Sequence, residues 1–242
     1  MKKLIVGVAL LIGLLGMQSS FYKTYTTSFF RIKYEKTVSS KSVTRLGTLL
    51  EADYAKYKKK FSTTVSGRID VTLYGSAERM RSDANIAFYN DGFYLNGKIY
   101  AVEGAIPSDE SKSSGVVARV AARCALNEIK GCPYWLAECY SVYAGEELAK
   151  YGRPSRPSMS SFADLAEDFS GAERTDEYKE VYAKLAATAS FFITRYGETK
   201  FEGVFSQLKL GKSMEESFEA SFGEKFGTIE KAWSKSLAGS PK

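Results

Sequence analysis

The spacing of hydrophobic residues divides the chain into a strand-rich first half and a helical second half. Apolar and polar residues alternate over residues 28–34 and 68–74, which predicts two strands because successive strand side chains point to opposite faces. Between them, apolar residues at helical spacing predict a long amphipathic helix over residues 39–61. A short helix is expected over residues 77–83.

A hairpin is predicted where the chain carries two turn signals, Asp91-Gly92 and Asn96-Gly97. The Asn-Gly pair separates two short apolar stretches, and both of its residues suit the positive φ angles that a two-residue hairpin turn requires. One hairpin strand is expected to border a cleft, where an extended peptide would pair with it as an additional strand. The alternative is a plain sheet edge that ends in a turn.

The second half of the chain shows helical spacing throughout. Residues 116–147 predict two helices joined by a short turn at residues 130–133, between a polar loop at 107–114 and a Gly- and Pro-containing linker at 151–157. Further helices are predicted from the capping residues Ser160 and Ser161 to Asp168, over residues 176–196 and 200–210, from Ser213 to Phe222 as a capping box with Glu216, and from Thr228 onward.

These elements predict an α+β fold. We expect a small mixed four-stranded sheet with one long helix, followed by a helical half. The sheet subdomain is expected at residues 25–112 and the helical subdomain at residues 113–240, together forming one domain with a cleft between them.

The first 20 residues have the layout of a targeting segment. Two lysines precede an apolar run of 14 residues from Leu4 to Met17, which is shorter than the ~20 residues that a membrane-spanning helix needs. We expect a signal peptide or an uncleaved N-terminal anchor. The protein is therefore predicted to be exported: periplasmic, on the cell surface or secreted, and in contact with a membrane only through this segment.

The charge distribution argues against a nucleic-acid partner, and the cysteine count limits disulfide bonding. The net charge of +6 arises from 34 basic and 28 acidic residues spread along the chain, so no nucleic-acid partner is expected. The three cysteines, Cys124, Cys132 and Cys139, allow at most one internal disulfide. We favour small buried apolar side chains for them over a disulfide or a metal site.

The helix over residues 133–145, PYWLAECYSVYAG, resembles the P-x-W-L-x-E-G-x-A-x-Y-x-x-G segment of gluzincin metallopeptidases with a peptidase-MA-like domain. Weaker similarity extends over residues 25–238. The resemblance implies a zincin-like fold and places Glu138 at the third zinc ligand. In that family a preceding helix carries H-E-x-x-H, whose two His bind zinc and whose Glu activates water.

The chain departs from this family at the metal-binding residues, because it contains no histidine. The positions that match H-E-x-x-H are residues 119–123, with Arg119 and Arg123 at the two His positions and Val120 at the Glu position. Arginine is a permanent cation without a lone pair for a metal. We therefore expect no metal, no other cofactor and no catalytic residue at these degenerate positions.

Arg119 and Arg123 stand at i and i+4 and so share one helix face. We expect them to replace the metal as counter-charges of Glu138 through bidentate hydrogen bonds; the alternative is that both point to water. Glu146 and Glu147 are expected to face solvent. The resemblance suggests five candidate cleft residues, of which the last two suit core packing equally well: Tyr94, Tyr100, Trp135, Tyr140 and Tyr143.

The leading functional hypothesis is an exported, non-catalytic metallopeptidase-like protein that acts as a peptide-binding or scaffold module in the cell envelope. Its expected partner is an extended peptide or an envelope protein. One alternative is an active hydrolase or peptidase with a non-standard site around Glu138. Another is a purely structural envelope protein whose cleft is filled.

Overall fold

The computed structural model of the chain describes residues 21–64, 67–84, 91–109, 112, 114–155 and 159–238. The predicted targeting segment, residues 1–20, lies outside the described residues, as do parts of the predicted loop and linker. In the part that is described, no helix has the length and apolar character needed to cross a membrane.

The sheet has five strands and is mixed. The strands are β1 (Tyr22–Thr26), β2 (Phe30–Glu35), β3 (Ile69–Tyr74), β4 (Gly92–Leu95) and β5 (Lys98–Val102). Their order is β1-β2-β3-β5-β4; β2, β3 and β5 run parallel, and β1 and β4 are antiparallel edge strands. The predicted α+β class is correct.

The sequence-based strand count was wrong by one, because β1 was not predicted. Four of the five side chains of β1 are exposed, so the strand lacks the apolar alternation that reveals a half-buried strand. Backbone pairing with β2 defines it instead.

The long first helix, α1 (Ser40–Phe61), covers the sheet as predicted. Ser39 caps it by accepting a hydrogen bond from the backbone N–H of Ser42, and the chain leaves it through Ser62 in the left-handed conformation. Its buried stripe, which includes Leu46, Leu50 and Tyr54, packs against the sheet and the helical half.

The remaining helices among the described residues are α2 (Ala77–Ala84), α3 (Gly115–Asn127), α4 (Tyr134–Ala144), α5 (Phe162–Gly171), α6 (Thr175–Tyr196), α7 (Glu198–Lys209), α8 (Met214–Phe222) and α9 (Phe226–Ala238). The predicted capping box of Ser213 and Glu216 is present at the start of α8. The last helix begins before the predicted cap Thr228. The carboxylate of Glu219 accepts the backbone N–H of Phe226 at 3.0 Å, and this contact with the preceding helix has no local sequence signal.

Helices α3 and α4 form a tightly packed pair that positions the candidate site. A Cβ atom on Gly115 would lie 2.5 Å from the carbonyl oxygen of Gly145, and one on Gly145 would lie 2.6 Å from that of Gly115. Two glycines thus allow the start of α3 to touch the end of α4. A Cβ atom on Gly145 would also lie 3.0 Å from the Cβ of Arg119, so Arg119 faces α4 and the segment after it.

Candidate functional site

Arg119 is fully buried and binds three different partners. Its Nη1 lies 3.2 Å from Oε1 of Glu138, and its Nε lies 2.5 Å from Oε2 of Glu147. Its Nη2 donates to the carbonyl oxygen of Gly92 at 2.6 Å. The side chain therefore joins α3 to α4, to the segment that follows α4 and to the edge strand β4.

Glu138 is the centre of this arrangement and is also buried. Its Oε1 accepts a hydrogen bond from the hydroxyl of Tyr182 at 2.7 Å, and its Oε2 lies 3.5 Å from Nε of Arg123. Burial, and then the charge of Glu138, raise the pKa of Tyr182 well above its ordinary value, so the hydroxyl stays a donor. The expected pairing of both arginines with Glu138 is confirmed. The alternative that they point to water is wrong, since Arg119 is 1% and Arg123 is 3% exposed.

Bidentate hydrogen bonding to Glu138 was also expected, and it is not found. Arg119 divides its donors among three acceptors. Arg123 lies over the ring of Tyr134, with its guanidinium carbon 3.9 Å from the ring centre. Its Nε, within the described structure, has no hydrogen-bond partner, so Arg123 is held by charge and stacking.

Glu147 is buried, and the prediction that it faces solvent was wrong. After α4, Glu146 takes a positive φ of 57° and the N–H of Glu147 bonds back to Val142 at 3.1 Å. This turn leaves Glu146 exposed, as expected, but directs Glu147 toward Arg119. Burial acts to raise the pKa of Glu147, yet Arg119 and Lys150 outweigh it and hold the pKa below its ordinary value.

We call Arg119, Arg123, Glu138 and Glu147 the charge cluster. All four side chains are more than nine-tenths buried, and two positive charges balance two negative ones. Burial of charge is tolerated when opposite charges and hydrogen bonds compensate it, and removal of a partner that leaves a buried charge uncompensated costs ~3–5 kcal/mol. The four charges of the cluster therefore sum to zero.

The residues at the implied zinc position do not fit a zinc ion. Zinc needs lone pairs from imidazole, thiolate or carboxylate groups. The guanidinium groups of Arg119 and Arg123 have none, and they already engage both oxygens of Glu138. Val120, which stands at the position of the base, is buried in the core. Over the described ranges, no three His, Cys, Asp or Glu side chains come close enough together to hold a metal.

The three cysteines are free thiols. Cys124 and Cys139 are buried among apolar side chains, as expected, and Cys132 is half-buried at the turn between α3 and α4. Burial raises the pKa of Cys124 to about 12, so its thiol stays protonated and unreactive at neutral pH.

A cavity of about 650 Å³, lined in part by Glu138, lies between β4 and helices α4, α5 and α6. Its lining is largely aromatic and apolar: Phe93, Tyr94, Leu95, Pro133, Tyr134, Trp135, Glu138, Phe162, Ala163, Ala166, Phe169, Ser170, Tyr178, Tyr182 and Met214. Among these described residues Glu138 is the only charged one. We call this space the aromatic cavity.

Two of the five candidate cleft residues, Tyr94 and Trp135, lie in the lining of the aromatic cavity, and three do not. Tyr100 stacks on Phe93 from the neighbouring strand, with ring centres 4.8 Å apart. Tyr140 is buried and donates its hydroxyl to Glu202 of α7 at 2.9 Å, and Tyr143 packs beside it. Both project from the face of α4 opposite Glu138, because turns of 100° per residue place them there.

The backbone of β4 alternates between groups that bond β5 and groups that point away from it. The N–H of Val102 donates to the carbonyl of Asp91 at 3.0 Å, which makes these two residues a bonded pair. Antiparallel pairs alternate along the strand, so Gly92 and Tyr94 direct their backbone groups to the free side.

Both outward carbonyls of β4 are already occupied. The carbonyl of Gly92 accepts from Arg119 at 2.6 Å, and that of Tyr94 accepts from the hydroxyl of Tyr134 at 2.8 Å. The edge strand next to the aromatic cavity is therefore bonded to side chains of α3 and α4.

Sequence reasoning missed three residues that shape the site: Glu147, Tyr134 and Tyr182. The signal for Tyr134 was its position beside Trp135 in the segment that resembles the gluzincins. Tyr182 and Glu147 had no such signal, because tertiary packing alone brings them to Glu138 and Arg119.

Comparison with protein-family models and with curated proteins finds no match for this chain. The metallopeptidase resemblance therefore rests on the residues of the chain itself, above all on residues 133–145.

Proposed function

We propose that this chain is an exported, non-catalytic relative of the gluzincin metallopeptidases that acts as a peptide-binding or scaffold module in the cell envelope. One observation carries the proposal: Glu138, the residue that the resemblance assigns to zinc, is neutralised by Arg119 and Arg123 and at the same time forms a wall of an open aromatic cavity. Export is inferred from the N-terminal segment of the sequence.

The chemistry of the charge cluster favours binding over hydrolysis. A zinc hydrolase needs three ligands, an open coordination position and a base for water. A metal-free hydrolase around Glu138 would need a second acid or base near the substrate. Glu147 instead faces Arg119 and Lys150, and the cavity lining holds no other carboxylate in the part of the chain that is described.

The aromatic cavity supports a binding role over a purely structural one. Ligand sites in proteins commonly measure 300–1,000 Å³ and are mostly apolar with a few polar groups, and this cavity has that size and character. A structural protein with a filled cleft would not keep such a space beside an edge strand.

The test combines a turnover assay with a retention assay. The purified chain is incubated with fluorescein-labelled casein and with a mixed peptide library, in the presence and absence of zinc. The library is also passed over the immobilised chain, and retained peptides are identified by mass spectrometry. We expect peptides to be retained uncut. Chelator-sensitive cleavage would establish the hydrolase alternative, and absence of retained peptides would refute the binding role.

A further inference from the structure

We infer that the aromatic cavity recognises one uncharged, bulky apolar group, and that β4 does not accept an added strand. That the group is a side chain of a bound peptide rests on the proposed function.

The charge state of the cavity excludes ionised ligands. Among the described lining residues Glu138 is the only charged one, and its carboxylate is already compensated by Arg119, Arg123 and the hydroxyl of Tyr182. A cation would compete with two guanidinium groups for it, and an anion would meet no positive side chain among the described lining residues. Because a charge that leaves water without a partner is strongly disfavoured, an uncharged group is preferred.

The walls of the cavity suit a flat or branched apolar group. Trp135 and Phe162 stack at 5.3 Å to form one wall, while Tyr134 and Phe169 pack at 5.1 Å. Tyr134 is 40% exposed, so this second pair reaches the surface. The ring surfaces of these pairs that face the cavity offer aromatic contacts to an inserted ring.

The edge of β4 is closed by two contacts of unequal strength. Strand addition requires free backbone groups on alternate residues, here Gly92 and Tyr94. Tyr134 could rotate away from Tyr94. Arg119 cannot leave Gly92 without uncovering Glu138 and Glu147, because one guanidinium holds all three. At most one outward carbonyl can therefore be released, which is too few to support a strand.

The first test uses two dyes with the same aromatic skeleton. N-phenyl-1-naphthylamine is uncharged, and 8-anilinonaphthalene-1-sulfonate adds a sulfonate. Fluorescence titration of the full chain should show one site that binds the uncharged dye roughly tenfold tighter or more, a difference of ~1.4 kcal/mol. Uncharged 1-methylnaphthalene should displace the dye more effectively than cationic 1-naphthylmethylamine. Equal or tighter binding of either charged partner would overturn the inference.

A cavity-filling variant locates the site. Ala163 is exposed on α5 and lines the cavity, so Ala163→Trp should obstruct the cavity without disturbing the core and should weaken dye binding at least tenfold. Ala220→Trp is the matched control, since Ala220 is exposed on α8 and outside that lining. Undiminished binding to Ala163→Trp would refute the assignment.

The mode of peptide binding is tested with N-methylation. A retained peptide resynthesised with N-methyl groups beside its apolar residue should bind as well as the parent, because no strand is formed. A loss of binding would establish strand addition. Dye binding without any retained peptide would leave the cavity assignment standing and refute the peptide-binding role. Peptides retained equally by the wild type and Ala163→Trp would support the peptide-binding role and refute the cavity as the binding site.

Discussion

The charge cluster and the aromatic cavity meet at Glu138 and differ in almost every physical respect. In the cluster, buried charges of both signs compensate one another, and Arg119 alone holds three acceptors. In the cavity, aromatic rings surround open space with no other charge among the described lining residues. The cavity can be apolar because Arg119, Arg123 and Tyr182 already compensate the carboxylate of Glu138.

The largest expected effect on stability comes from removing one charge of the cluster. Arg119→Met should lower the free energy of unfolding by ~3–5 kcal/mol, because Glu138 and Glu147 would remain buried without their common partner. Urea denaturation followed by circular dichroism measures the loss. Arg31→Met is the matched control: Arg31 pairs with Asp70 at the surface, where such a pair contributes ~0–1 kcal/mol. Equal losses in the two variants would contradict a self-contained buried cluster.

A second substitution separates the two arginines. Arg123→Met should cost less than Arg119→Met, about 1–3 kcal/mol, because Arg123 contributes an ion pair at 3.5 Å and stacking on Tyr134 but no hydrogen bond through Nε. Urea denaturation of both variants side by side gives the ranking. The reverse order would mean that Arg123, rather than Arg119, holds the cluster together.

The pH dependence of stability tests the pairing of Glu147. Its pKa is lower in the folded protein than its ordinary value of 4.5, so its stabilising contribution is fully present above that value and is lost as the pH falls through the folded pKa. The destabilisation caused by Glu147→Gln should therefore be largest near neutral pH and shrink at acidic pH. Urea denaturation at a series of pH values measures this. A difference that stays constant down to strongly acidic pH would show that Glu147 is not paired as described.

The smallest expected effect concerns Tyr134, which contacts Arg123 of the cluster and Tyr94 of the cavity lining. Tyr134→Phe removes one hydrogen bond to Tyr94 but keeps the ring over Arg123, so the loss of stability should be about 0.5–1.5 kcal/mol. Hydrogen exchange should become faster in β4 and remain unchanged in α3. Faster exchange throughout α3 would indicate that the tyrosine supports the cluster as a whole.

Local patterns predicted much of the fold. The capping box at Ser213 and the long buried stripe of α1 are visible in the local sequence, and each was found where the sequence placed it. The edge strand β1 was missed because its exposed side chains carry no periodic signal.

The candidate site was predictable only where a single helix defines it. Arg119 and Arg123 share a face by their spacing, and the helix pairing implied by the resemblance directed that face toward Glu138. Glu147 was misjudged because the turn after α4 reverses the chain. For Tyr140 and Tyr143 the core-packing alternative is correct, because a helix turns 100° per residue and so places them opposite Glu138.

We propose that the charge cluster fills the position that the metallopeptidase resemblance assigns to zinc. The most direct test of this proposal is the zinc content of the purified chain after dialysis against zinc and then against buffer, measured by inductively coupled plasma mass spectrometry. The result we predict is far less than one zinc per chain, with no difference between the wild type and Glu138→Gln. One tightly held zinc per chain that Glu138→Gln abolishes would contradict the account.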